Sequence, residues 1–230
     1  MHLQKFSTVA RLLLLAIAGL ATVSVLIASN HVPTPGRGRQ QPPREGGGPR
    51  LQGVSISEVL LTPAAGGDQV IELTNFSDRR VRLNGWYLCI RPEYWEFPRG
   101  IDIEPGAVLV IHVNADGTDT DTDIYAFDLE ITLNENNGEV ALYDAKSFAS
   151  SRNLKDFVQW GPRRGPTRLT VAIAADQWQA GDSVPIEGAQ PGNSLSLIGP
   201  GEDAQSWRFG PASIGEPNQM GPPPPRRQQR

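Results

Sequence analysis

The chain has 230 residues, with 24 Gly, 20 Pro, a single Cys, three His and 20% charged residues. That length allows one core with tails. The lone cysteine excludes an intrachain disulfide framework and a cysteine-rich zinc site, and the Gly and Pro content suits short strands and turns better than long helices. The net charge of −4 is uneven: residues 1–53 carry +5 and 219–230 carry +3, leaving −12 between them. An acidic body repels phosphate, so nucleic acid is excluded as a partner of the folded part.

Residues 1–29 read as a signal peptide or signal anchor. Lys5 and Arg11 precede an apolar run at 12–28, short for a membrane span and long for a cleavable signal. Either way the remainder is expected outside the cytoplasm, secreted or held at the membrane through residues 12–28. Residues 30–53, rich in Pro, Gly and Arg, read as a disordered linker, and 219–230 as a Pro- and Arg-rich disordered tail.

Between these ends, residues 54–218 follow a period of two. Val54, Ile56, Glu58 and Leu60 alternate with Ser55, Ser57, Val59 and Leu61. Further strands are predicted at 69–75, 81–90, 107–113, 128–133, 138–144, 155–161 and 194–199, with turn chemistry at Ala65-Gly66-Gly67-Asp68, Ser77-Asp78 and Asn84-Gly85. A short helix fits 170–178. The pattern predicts an all-β antiparallel sandwich.

The segments ISEVLLTP (56–63), QVIELTNFSDRRVRLNGWYL (69–88), FPRGIDIEPGAVLVI (97–111), LNENNGEVALYDA (133–145), DFVQWG (156–161), GNSLSLIG (192–199) and SIGEPN (213–218) resemble, in order, the lamin tail domain family. The resemblance implies an immunoglobulin-like sandwich and, in exported bacterial members, a binding or structural role outside the cytoplasm. Gln69 stands where that family usually carries an acidic residue. In such a sandwich Trp86, Leu88 and Ile90 would fill the inter-sheet space, Asn75 would fix the corner after its strand, and Gly85 would take a positive φ. Glu72 is either a solvated strand residue or a carboxylate tying down a loop.

Two features carry candidate chemistry. Asp119, Asp121, Asp123 and Glu130 reproduce the carboxylate spacing of a calcium loop, but Ile124 stands where that loop needs Gly. A looser calcium site of Asp116, Asp119, Asp121 and Asp123 and a solvated acidic loop both remain open. In RPEYWEFPRG (91–100), Phe97 is assigned to packing, while Tyr94 and Trp95 are candidates for an exposed aromatic platform in a loop, binding a protein or a sugar. His112 reads as structural and Cys89 as a packed or unpaired thiol. No hydrolase, metalloprotease, phosphate-loop or dinucleotide motif occurs. The expectation is a non-enzymatic module of the cell envelope that binds an envelope or extracellular protein through loop aromatics and strand edges.

Overall fold

The computed structural model describes residues 51–162, 167–187, 190–201 and 203–218. The expectations for the apolar run and for the proline-rich ends lie outside them. Among the described residues no helix is long and apolar enough to cross a membrane.

The chain alternates short strands with turns: β1 (Val54–Thr62), β2 (Gln69–Asn75), β3 (Val81–Arg82), β4 (Tyr87–Ile90), β5 (Glu93–Glu96), β6 (Asp102–Ile103), β7 (Val108–Val113), β8 (Asp123–Ala126), β9 (Gly138–Tyr143), β10 (Leu154–Trp160), one helix α1 (Leu169–Ala174), β11 (Asn193–Leu197) and β12 (Trp207–Pro211). They form a six-stranded sheet in the order β12-β11-β1-β2-β7-β8, a four-stranded sheet β10-β9-β4-β5, and a ribbon of β3 and β6. Ile56, Val59, Leu61, Ile71, Leu73 and Ile111 of the large sheet are buried in one cluster with Leu88, Val140, Leu142 and Val158 of the small one. Such a two-layer apolar interior is how sheets with one apolar face each become stable.

The alternation expected along β1 breaks in the middle. The pairing of β1 with β2 shifts between Ile56 and Glu58, so one extra residue is accommodated there. Past this bulge Val59 and Leu61 join Val54 and Ile56 inside, while Glu58 turns to the outer face beside Glu72, its direct partner on β2.

Neither carboxylate is solvated. Both are buried under the segment Ser213–Asn218, which crosses the outer face of the large sheet. Glu58 accepts from the Ser213 amide (2.8 Å) and hydroxyl (2.7 Å). Glu72 accepts from the Ser57 hydroxyl (2.6 Å) and the Gly215 amide (2.9 Å), and Asn218 Nδ2 donates to the Ser57 carbonyl (2.6 Å). Of the two readings of Glu72, the one that ties down a loop is the one observed. Buried carboxylates persist only where donors converge on them.

Several sequence expectations need correction. Trp86 is only half-buried; the deep indole is Trp160, whose Nε1 donates to the Asn134 carbonyl (2.9 Å). Its ring fills the space where a side chain on Gly138 would stand, since a Cβ there would come within 2.4 Å of it. The 128–133 segment is not a strand. Leu129 and Leu133 still plug the core, and Gln69 replaces the missing ladder: its Nε2 donates to the Leu61 and Leu133 carbonyls (2.7 and 2.8 Å) and its Oε1 accepts from the Leu133 amide (2.7 Å). An acidic residue there could accept but not donate. The expected antiparallel order also has an exception, because β8 runs parallel to β7. The long connection 114–122 carries the chain back before β8 begins, as a parallel neighbour requires. The expected helix is found, shortened to α1.

Asn75 does fix its corner. Its Oδ1 accepts from the Ser77 amide and hydroxyl, and its Nδ2 donates to the Arg79 and Ile103 carbonyls. Gly85 holds φ at 75° in the turn before β4. Replacing Asn75 with Ala strands the buried Ile103 carbonyl and removes one partner each from the part-buried Ser77 amide and Arg79 carbonyl, and is expected to cost roughly 1–3 kcal/mol, measured as a lowered urea midpoint with unchanged slope.

Candidate binding surface

The aromatic candidates sit on a strand, not in a loop. Arg91-Pro92 makes the turn and Glu93–Glu96 returns as β5 against β4, pairing Trp95 with Leu88 and Tyr94 with Cys89. Alternation along β5 then sends the two aromatics to opposite faces. Trp95 faces the core, 6% exposed, in edge contact with Phe97, and its Nε1 donates to Asp128 Oδ1 (2.8 Å). Its burial removes it from any exposed platform. Tyr94 lies on the other face, stacked on Phe148 at 3.8 Å with the Arg168 guanidinium 5.1 Å from its ring centre. Among the described residues the most exposed large apolar side chain is Phe127, at 65%, just after β8. Sequence reasoning missed it because it assigned a strand to 128–133 and none to 123–126.

The acidic loop has a different task from the one its spacing suggested. Among the described residues no three His, Cys, Asp or Glu side chains gather as a metal-holding group. Asp116, Asp119 and Asp121 are exposed and Asp123 is half-buried. Asp119 Oδ1 accepts from the Tyr125 amide (2.9 Å), and Thr120 Oγ1 accepts from the Asp123 amide (2.9 Å). Those amides point away from β7, so the loop folds over the free side of β8 and caps it. Asp123 is held below the usual carboxylate range, chiefly by the Thr122 hydroxyl and then by His112. The His112 ring stacks on Tyr125 and lies between Asp68 (3.1 Å) and Asp123 (3.3 Å), which fastens the loop to β7. Asp119→Ala with Thr120→Ala should uncap β8. Amide hydrogen exchange at Asp123 and Tyr125 is expected to rise about tenfold, with a global loss near 1 kcal/mol.

The other sheet edges differ in the same respect. At β10, Val184 forms a bridge with Trp160 and donates its amide to the Gln159 carbonyl (2.9 Å), while the Gly161 amide donates to the Val184 carbonyl (3.0 Å). The Trp160 end of that edge is covered. At β5 the exposed side chains are Glu93 and Glu96, and charge on an edge discourages strand pairing. β12 has neither device. Its bonds to β11 run through alternate residues: the Ile198 amide donates to the Ser206 carbonyl and the Ala212 amide to the Gly192 carbonyl. By the antiparallel pattern Trp207, Phe209 and Pro211 turn their backbone groups outward. Among the described residues no hydrogen bond from outside β11 reaches them. The edge offers the amides of Trp207 and Phe209 and carries one charge, on exposed Arg208.

A two-layer β-sandwich with immunoglobulin-like layering, three edges blunted and one left open, is the class of module these features define. The Lamin Tail Domain model matches residues 49–162, and this segment is what the chain shares with the lamin tail domain family. The matched segment ends before β11 and β12, which complete the large sheet. A crystal structure of a DUF4876 family protein from Bacteroides thetaiotaomicron is similar over 64% of this chain and 62% of that one, at 11% identity and a TM-score of 0.45. The chain thus spans less than two thirds of that protein. No curated protein matches the chain.

Proposed function

We propose that the chain is exported through its apolar segment at residues 12–28 and that its sandwich is a non-enzymatic binding module of the cell envelope. In this reading it takes an extended segment of an envelope or extracellular protein onto the edge of β12. The observation that carries it is the contrast between edges: β8 and the Trp160 end of β10 are capped by dedicated segments, β5 by charge, and β12 by nothing among the described residues. Proteins that do not use an edge normally protect it, and strand addition is a common mode of peptide recognition. The basic flank and apolar run support export.

A photocrosslinking residue at position 208 of the full-length protein, expressed in its native cells, tests this, with the same probe at position 82 as control. Defined adducts are expected from 208 and not from 82. Phe209→Pro removes an outward amide without touching the bonds to β11, and should abolish them. Phe209→Ala should keep them. Adducts unaffected by Phe209→Pro would refute edge recognition.

A further inference from the structure

The two faces of β12 differ in chemistry. Trp207 and Phe209 stand opposite Leu197 and Leu195 of β11 and pack against the core, Trp207 buried and Phe209 half-buried. Arg208 and Gly210 lie on the outer face, opposite Ser196 and Ser194. Arg208 is exposed, and because β11 places a serine opposite it, that strand supplies no carboxylate at the cross-strand position. A Cβ on Gly210 would meet nothing within 4 Å, so the outer face is open there.

A strand added to this edge meets these demands position by position. Antiparallel pairing is the stabler kind per residue and continues the pattern of β11 with β12. The outward amides of Trp207 and Phe209 donate to the segment and their carbonyls accept from it, while Pro211 adds only a carbonyl. Directly opposed side chains share a face at about 4.5–5.5 Å between Cβ atoms. The incoming residues opposite Trp207 and Phe209 therefore extend the apolar inner face. The residue between them stands opposite Arg208, where a carboxylate is favoured and a like charge is opposed. Two positions before that acid, a residue faces Gly210, and an aromatic ring can lie across the strand in the space the glycine leaves. The folded part carries −12 overall, which repels an acidic run and leaves Arg208 as the place for a single carboxylate.

We infer that β12 selects an extended segment of the pattern aromatic–apolar–acidic–apolar, bound antiparallel with its carboxylate on Arg208 and its ring over Gly210. This deepens the reading of β12 as a recognition edge and rests on it.

The test uses a capped peptide, Thr-Tyr-Val-Glu-Val-Thr, and its counterpart with Lys in place of Glu. Each is titrated into the full-length protein and followed at the Trp207 and Phe209 amide resonances. The glutamate peptide should bind roughly five- to tenfold more tightly than the lysine peptide, and Arg208→Glu, on an exposed side chain, should invert that order. Gly210→Val should fold, since its side chain meets open space, and should erase the preference for Tyr over Ala at the second peptide position. Equal affinities for the parent, or an order that Arg208→Glu leaves unchanged, would overturn the assigned chemistry while leaving the edge as the site. Failure of every peptide to bind would overturn it too, and recognition through β12 itself would then be decided by the adducts at position 208.

Discussion

Replacing Asp156 with Ala is expected to destabilise the sandwich by about 3–5 kcal/mol, enough to unfold much of a marginally stable population. The reason lies in the strand lengths. β11 pairs with β1 only from Glu58 onward, so Val54–Ile56 run past the end of their neighbour. The Ile56 amide would be left buried and unpaired there. Asp156, projecting from β10 at a shift in the β9–β10 register, takes it: Oδ2 accepts from Ile56 at 2.6 Å and Oδ1 from the Phe157 amide at 2.7 Å. One buried carboxyl thus joins the two sheets. Its removal strands two buried amides at once, whereas Asp156→Asn keeps one acceptor and should cost about half as much. Urea denaturation reads the difference. A loss under about 1 kcal/mol for the Ala variant would mean that water reaches the seam and the sheets are not joined there.

The second large effect concerns pH. Glu72 is pushed up to about 7, first by burial and, more weakly, by neighbouring Glu58, against the hydrogen bonds from Ser57 and Gly215 that pull it down. Burial likewise raises Glu139 and Asp156 to about 7. A carboxyl whose value rises on folding holds more protons folded than unfolded between its unfolded value near 4 and its folded value near 7. Its stabilisation is therefore complete below about pH 4 and is lost as pH climbs through 7. For Glu72 alone the difference amounts to about 3 kcal/mol. The domain should accordingly be more stable at pH 5 than at pH 8, and Glu72→Gln should flatten that dependence. A stability that instead rises from pH 5 to pH 8 would contradict the burial of these carboxyls, that of Glu72 beneath Ser213–Asn218 first.

The alternation of Ile71, Leu73, Leu109 and Ile111, the turn at Asn84-Gly85 and the corner at Asn75 were legible because each rests on chemistry within a few residues. The bulge at Ser57 was not, since nothing in VSISEVLLT says which alternate set faces inward. That is decided by Leu73 and Glu72 across the ladder. Trp95 was misplaced for a similar reason: RPEYWEFPRG has the composition of a loop, and only pairing with β4 makes it a strand with one buried face. The spacing of Asp119, Asp121 and Asp123 suggested ligation, while the structure spends Asp119 on a backbone amide. Gln69 held a usable clue, because an amide where relatives carry an acid signals a need to donate and accept together.

Residue-resolved hydrogen exchange of the full-length protein, in the absence of any partner, most directly tests whether β12 is the open edge. The amides of Trp207 and Phe209 should exchange within seconds to minutes, and those of Ser196 inside the sheet and Tyr125 under its cap should be orders of magnitude slower. Protection of Trp207 and Phe209 equal to that of Ser196 would show an edge already occupied, and recognition through β12 would be contradicted.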